Sequence, residues 1–287
     1  MEVGENMSLV RLKDLLIEAE NGKYAVGAFS IANMEMVMGV IKAAEELNSP
    51  VILQIAEVRL KYSPLYLIGP LMLAAAEKSK VPVAVHLDHG ITVKCIDEAL
   101  NLGFTSVMID ASRYSLKKNI NITKQIIEKA KNYNASVEAE IGRVGSSEDG
   151  SEKISTMCTD VKEAKEFYEQ TGVNALAIGI GNTHGVYKGT PDLNFEVLRK
   201  VNENVDVPLV LHGGSGISDD DFKKCVKFGM RKINIATATF MSVAKNVKLY
   251  CDKYNNVDYF KLNKAQVEGA YLNAKKHIGI FESKNKI

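Results

Sequence analysis

Five histidines are spread over the 287 residues, and four of them fall where a side chain can do chemistry. His86 and His89 flank the end of the apolar run 81–85, in the string HLDHG, while His184 lies in GNTHGVYKG and His212 in LVLHGGSG. A neutral imidazole binds a transition metal through one ring nitrogen, and three such ligands with an open fourth position make a catalytic zinc arrangement. Imidazole suits Zn, Fe or Co far better than Mg or Ca. Asp88, next to His89, is a carboxylate able to move a proton at whatever the metal holds. Any one of these histidines alone reads as a hydrogen-bonded core residue. Their coincidence at the ends of apolar runs is what argues for a shared site. His86, two residues before Asp88, belongs on the same side of its strand and is assigned to the core or to a place behind the ligands. His277 is expected on the surface of a C-terminal helix.

Eight strand-like runs are available to carry these residues: 25–29, 51–56, 82–87, 106–111, 136–141, 175–180, 208–213 and 232–237. They start 24 to 39 residues apart and alternate with amphipathic stretches such as 34–47, 117–133, 161–171 and 220–228. Eight strands, each followed by a helix, are what an α/β fold of the (β/α)8 or TIM-barrel type requires; a doubly wound open sheet usually has fewer strands and one marked switch point. Barrel enzymes build their sites on the C-terminal rim of the strands, and His86, His89, His184 and His212 all map there. An N-terminal helix over 8–20 carries Leu9, Leu12, Leu15, Leu16 and Ala19 on one face. From residue 254 two further helices are expected, with a turn near Asn255-Asn256, packed on a neighbouring subunit. No Pro-, Gly- or Ser-rich linker divides the chain, so residues 1–287 read as a single domain, with 1–7 a flexible extension. The polar segment 145–157 is longer than most strand-to-helix connections and reads as a lid.

Thirty-six Lys and Arg against 35 Asp and Glu leave a formal charge of +1, so no global field points to nucleic acid or an acidic membrane. No stretch approaches the roughly 20 apolar residues of a membrane span. Cys95, Cys158, Cys225 and Cys251 lie too far apart for a zinc ribbon or a disulfide framework, and a reducing cytoplasm is the expected home.

Taken in order, HLDHG, GNTHGVYKG, HGGSG and KINIAT resemble the class II, metal-dependent fructose-bisphosphate and tagatose-bisphosphate aldolase family, over about Leu9 to Val247. The resemblance implies one zinc ion held by His89, His184 and His212, and Asp88 as the acid/base that moves the C4 hydroxyl proton as the central C–C bond breaks. It places the glutamate that exchanges the proton at the nucleophilic carbon on Glu148, and puts Glu140 and Asp110 near the metal as auxiliary groups, with room for a monovalent cation. By the same pattern Gly185, Gly213, Ser215, Asn234 and Thr237 hold the dihydroxyacetone phosphate half, with Lys188 adding charge. The chemistry agrees: cleavage leaves a carbanion beside a carbonyl, a Lewis acid there spreads the charge as an enediolate, and two carboxylates in different settings must take one proton and give another. Each assignment has a plainer reading. Glu148 reads equally as a solvated loop charge, and Glu140 and Asp110 as structural carboxylates. Ser218 with Asp221 forms a capping box of purely structural meaning.

Some positions depart from the family. Ser30 stands where an Asn is often found, Ala56 where a Ser is common, Ala236 where an Asp or Asn is usual, and Ser146-Ser147 where the lid has a Gly pair or Gly-Glu. No arginine follows Arg231, although bisphosphate aldolases usually grip the second phosphate with an Arg of the C-terminal region. An ammonium from Lys261 or Lys264 is not equivalent to a guanidinium, and Arg59 is the other cation left to substitute. The expectation is a zinc-dependent lyase that reversibly splits a ketose 1,6-bisphosphate or related ketose phosphate into dihydroxyacetone phosphate and an aldehyde. It would act on a small sugar phosphate as a homodimer or homotetramer in the cytoplasm, without nucleic-acid or membrane partners. A zinc-dependent barrel hydrolase, a Schiff-base aldolase and a non-catalytic sugar-phosphate-binding barrel are the alternatives.

Overall fold

The computed structural model describes residues 8–145, 157–185, 187, 189 and 191–287. The expected N-terminal extension, most of the expected lid with Ser146, Ser147 and Glu148, and Lys188 lie outside the described residues. Eight parallel strands pair in sequence order and close on themselves: β1 (Val26–Ser30), β2 (Val51–Ala56), β3 (Val83–Gly90), β4 (Ser106–Ile109), β5 (Ser136–Ile141), β6 (Ala175–Ile178), β7 (Leu209–Leu211) and β8 (Met230–Ile235). One helix follows each strand: α2 (Met34–Glu46), α3 (Leu65–Lys78), α4 (Val93–Leu102), α5 (Leu116–Lys131), α6 (Val161–Thr171), α7 (Phe195–Asn204), α8 (Asp219–Lys227) and α9 (Thr237–Lys253). Before them runs α1 (Leu12–Gly22) and after them α10 (Tyr259–Ile280). The (β/α)8 barrel with extra terminal helices is the fold expected from the spacing of apolar runs.

Two apolar clusters hold it. The larger lies between strands and helices, where outward residues such as Val85, Leu87, Val107 and Leu211 meet helix faces. The smaller fills the N-terminal half of the barrel interior, where Leu12, Leu15, Leu16 and Ala19 of α1 plug against small residues Ala28, Ala84, Ala175 and Ala177. The other half of the interior is polar and buried: Gln54, His86, Asp88, Glu138, Glu140, His212, Lys232 and Asn234. Burying so many polar groups costs stability unless they satisfy one another, so this layer is where function is sought.

Three expectations need correction. The first helix starts at Leu12, not residue 8: Ser8 O accepts from Val83 N at 2.7 Å and Val10 N donates to Val83 O at 2.9 Å, so this segment adds to β3, and Arg11 at the helix start gives no side-chain cap. The region after residue 254 holds one helix, α10, rather than two, and it packs on α2 and α9. Its apolar face is shared among α2, α8, α9 and β1, which is why no clean surface-helix period marks it. His277 on α10 is therefore buried, not on the surface, with its ring between Phe222 and Phe281 at centroid distances of 5.8 and 5.6 Å. Its Nδ1–H donates to Asn273 O at 2.8 Å, and burial pushes its pKa down to about 4.

Candidate metal centre and active site

A regular strand sends neighbouring side chains to opposite faces, so Asp88 and His89 should not both serve the barrel mouth. A bulge resolves this. The ladder between β3 and β4 pairs Leu87 with Val107 but Gly90 with Ile109, which leaves one extra residue on β3. His89 absorbs the turn with φ of 41°, a left-handed conformation uncommon for residues other than glycine and found where geometry serves function. Gly90 is required here, because a Cβ would lie 2.4 Å from Met108 O. Beyond the bulge, Glu57 pins the chain by accepting from Ile91 N, Thr92 N and Thr92 Oγ1 at 2.6, 2.9 and 2.6 Å.

The bulge brings His89 against His184 and His212, with ring centroids 4.8 and 4.5 Å away. His184 comes from the connection after β6, where its N–H donates to Gly145 O at 2.8 Å. In the same connection Asn182 Nδ2 donates to His212 O at 2.9 Å, tying this loop to the end of β7. One nitrogen from each of the three rings lies within 4.8 Å of the others. His89 Nδ1 faces Asp110 Oδ2 at 2.9 Å, so Nε2 is its inward atom, 3.1 Å from His184 Nε2. His212 Nε2 faces Glu138 Oε1 at 2.8 Å, and its buried Nδ1 has no hydrogen-bond partner among the described residues. These features fit a metal. Two nitrogens on a tetrahedral zinc with bonds of about 2.0–2.1 Å sit about 3.3 Å apart, close to the His89–His184 separation. The carboxylates behind His89 and His212 are the partners that orient metal-binding imidazoles. Glu140 Oε2, also without a hydrogen-bond partner among the described residues, lies 3.4 Å from His212 Nδ1, and Asp110 and Glu140 group with His89 as a further set of potential ligands.

Electrostatics point the same way. Burial disfavours a charged His89, yet Asp88, Asp110 and Glu140 override it and push its pKa up to about 10. Burial likewise opposes charge on Asp110, but His89 and Ser112 hold that carboxyl far below its usual range. Burial first, then the charge of Asp110, raises Glu140 to about 8, and burial drives His86 and His212 down. The acidic surroundings thus demand a positive charge where the rings meet, and a divalent ion supplies one while leaving imidazole neutral.

Asp88 is buried beside this centre. Its Oδ1 accepts from Asn234 Nδ2 at 3.1 Å and its Oδ2 from Gln54 Nε2 at 3.2 Å; Gln54 Nε2 also reaches Ser30 Oγ at 3.3 Å. Asp88, His184, Gly185, Gly213, Ser215, Asn234 and Thr237 border one cleft, together with Gln54 and Ala236. The cleft includes Thr237, the first residue of α9, and the positive end of a helix favours an anion. Ser215 Oγ caps that end by accepting from Ala238 N at 2.9 Å. The structure therefore gathers the expected ligands, the expected acid/base and the expected phosphate-holding residues, apart from Glu148 and Lys188, which lie outside the described residues. His86 sits behind the ligands, its Nδ1 2.7 Å from Ser106 Oγ. Ala56 pairs in register with Asp88, where it brings no polar group.

Gln54, Glu57, Glu138 and Lys232 were not singled out from sequence. Glu138 and Lys232 carried a usable signal: each stands two residues before a rim residue, Glu140 or Asn234, just as His86 stands before Asp88.

The family model for class-II fructose-bisphosphate aldolase matches residues 10–286. A fructose-bisphosphate aldolase of Staphylococcus aureus is 41% identical over 253 residues, 87% of either chain. One from Geobacillus stearothermophilus is 41% identical over 254 residues, 88% of either chain. Among solved structures, the YdjI aldolase from Escherichia coli K12 superposes with a TM-score of 0.87 at 36% identity, covering 97% of this chain and 99% of that one.

Proposed function

The chain belongs to the class-II fructose-bisphosphate aldolase family, and from that premise we propose that it splits fructose 1,6-bisphosphate, or the tagatose epimer, reversibly into dihydroxyacetone phosphate and an aldehyde, with zinc as its metal. The observation that carries the reading is the convergence of His89, His184 and His212 from three separate strand ends beside the buried carboxylate of Asp88. A zinc ion held by these three residues would polarise the substrate carbonyl and stabilise the negative charge left as the carbon–carbon bond breaks.

The chain's own residues do the rest. Asp88, held by Gln54 and Asn234, takes the proton of the C4 hydroxyl and returns it in the condensation direction. Glu148 exchanges the proton at the nucleophilic carbon. Gly185, Gly213, Ser215, Asn234 and Thr237, with Lys188, hold the phosphate end against the start of α9. Two partners occupy the buried Lys232, Glu138 at 2.9 Å and Asn234 at 2.7 Å, so Schiff-base chemistry draws no support from it.

A homo-oligomer is part of the proposal, supported by the exposed apolar side chains Met241 and Leu249 on α9 and Tyr259 and Phe260 on α10. A cytoplasmic location is also part of it. No described helix is long and apolar enough to cross a membrane, and all four cysteines are free. The test is cleavage of fructose and tagatose 1,6-bisphosphates with and without a chelator, with the products identified. Chelator-sensitive release of dihydroxyacetone phosphate is expected. Release of inorganic phosphate instead would mean hydrolysis, and binding without turnover would mean a non-catalytic barrel.

A further inference from the structure

The polar half of the barrel holds a lysine that none of these steps uses. Lys232 of β8 is fully buried among Glu138, Asn234 and the ring of His86. An ammonium is costly to bury unless its charge is balanced and its N–H groups are engaged. Its Nζ lies 2.7 Å from Asn234 Oδ1 and 2.9 Å from Glu138 Oε2.

The first contact is a hydrogen bond and the second an ion pair, and from the two hydrogen-bond polarity runs outward both ways. An ammonium only donates, so the atom of Asn234 that faces it must be the carbonyl oxygen. The amide NH2 is thereby turned to Asp88, where Nδ2 donates to Oδ1 at 3.1 Å. On the other side, Glu138, whose charge the ammonium balances, is a carboxylate that only accepts. His212 Nε2, 2.8 Å from Glu138 Oε1, must carry the hydrogen there. A neutral imidazole has one N–H, so His212 Nδ1 is left with its lone pair, and Nδ1 is buried with no hydrogen-bond partner among the described residues.

We propose that Lys232 is a positioning residue for both halves of the site: one buried ammonium fixes the His212 tautomer that offers Nδ1 to the metal and the Asn234 orientation that offers N–H to Asp88. The first half rests on the metal centre alone, and the second rests on the aldolase reading. A merely structural lysine would neutralise Glu138 and do nothing more.

The experiment compares the full-length wild type with the double variant Lys232→Met/Glu138→Gln, which removes both charges and so leaves no uncompensated ion. A glutamine at 138 can accept or donate, and methionine cannot orient Asn234, so both instructions are lost while packing is kept. Cobalt(II) is titrated against a competing chelator in the absence of substrate. We expect affinity to fall about 10- to 100-fold, the range for partners that orient metal ligands, with a changed visible spectrum. At saturating metal, kcat should fall at least about tenfold, because Asp88 loses the oriented amide of Asn234. A double variant with wild-type cobalt affinity, spectrum and kcat would overturn the proposal, because charge balance alone would then suffice. A second measurement needs no variant: long-range 1H–15N spectra of histidine-labelled wild type with zinc bound. Nε2–H with metal-bound Nδ1 on His212 is expected, and the reverse pattern would overturn the tautomer assignment whatever the fate of the variant. A wild type that binds cobalt but cleaves no ketose bisphosphate would sink the aldolase reading instead, and the cobalt titration would still decide the first half.

Discussion

Replacing Asp88 by Asn should separate catalysis from stability. Asp88 accepts one hydrogen bond from Asn234 Nδ2 and one from Gln54 Nε2. An amide at position 88 has one oxygen and one NH2, so only one of these donors can be met as it stands. Asn234 cannot turn, because its Oδ1 already accepts from Lys232 at 2.7 Å. Gln54 can, because its Oε1 has no hydrogen-bond partner among the described residues, and rotating its amide offers an acceptor to the NH2 of the substituted side chain. Both hydrogen bonds to residue 88 are thus regained, but the Gln54 NH2 is turned into the buried position where Oε1 had no partner among the described residues, so stability should fall by the roughly 1–3 kcal/mol of one stranded buried donor rather than of two. Asp88 contributes no atom to the three-histidine set, so metal content should stay at the wild-type level. The proton acceptor is gone, however, and loss of a positioned acid/base lowers the rate by about 10² to 10⁴, or roughly 3–5 kcal/mol of barrier. The assay is initial-rate cleavage of fructose 1,6-bisphosphate with zinc saturating, beside calorimetric melting and metal analysis of the same samples. A rate within about threefold of wild type would refute Asp88's role, and a large loss of Tm would refute the Gln54 rotation.

Removing the metal with a chelator should abolish cleavage, and stoichiometric zinc should restore it. Melting should fall as well, since a ligand at a thousand times its Kd stabilises by about 4 kcal/mol, and an unchanged Tm would argue against a folded-state site. Gly90→Ala puts a Cβ 2.4 Å from Met108 O. Such overpacking costs about 1–3 kcal/mol, and because the bulge carries His89, chelator competition should also show weakened zinc binding. The folded protein holds His277 neutral with a pKa of about 4, whereas the unfolded chain takes up that proton first as pH falls. Its contribution is therefore complete above the unfolded pKa of about 6.5 and declines by about 3 kcal/mol toward pH 4. Urea unfolding at several pH values should show this slope, and His277→Gln should flatten it; an equal slope in both would place the proton uptake elsewhere.

The barrel was legible because its strands are short apolar runs at regular intervals, and burial on both faces leaves such runs unbroken by polar residues except where the mouth needs them. The metal ligands were legible because they stand at the ends of those runs. The bulge at His89 was not, because it depends on the register between β3 and β4, which neither strand's sequence contains. Strict alternation would have separated Asp88 from His89, and only residue type kept them together in the reading. His277 was misplaced for a similar reason: α10 contacts several elements, so its buried residues spread round the helix. Lys232 and Glu138 escaped notice because a charge within a strand reads as a solvent-facing residue until the closed barrel shows that the face is interior.

The most direct test of the account is a crystal structure with zinc soaked in, using anomalous scattering to locate the ion. One peak is predicted, about 2.0–2.1 Å from His89 Nε2, His184 Nε2 and His212 Nδ1, with Asp88 close by and outside its bonding distance. A peak bound through His212 Nε2, or an ion seated elsewhere with the three rings apart, would contradict it.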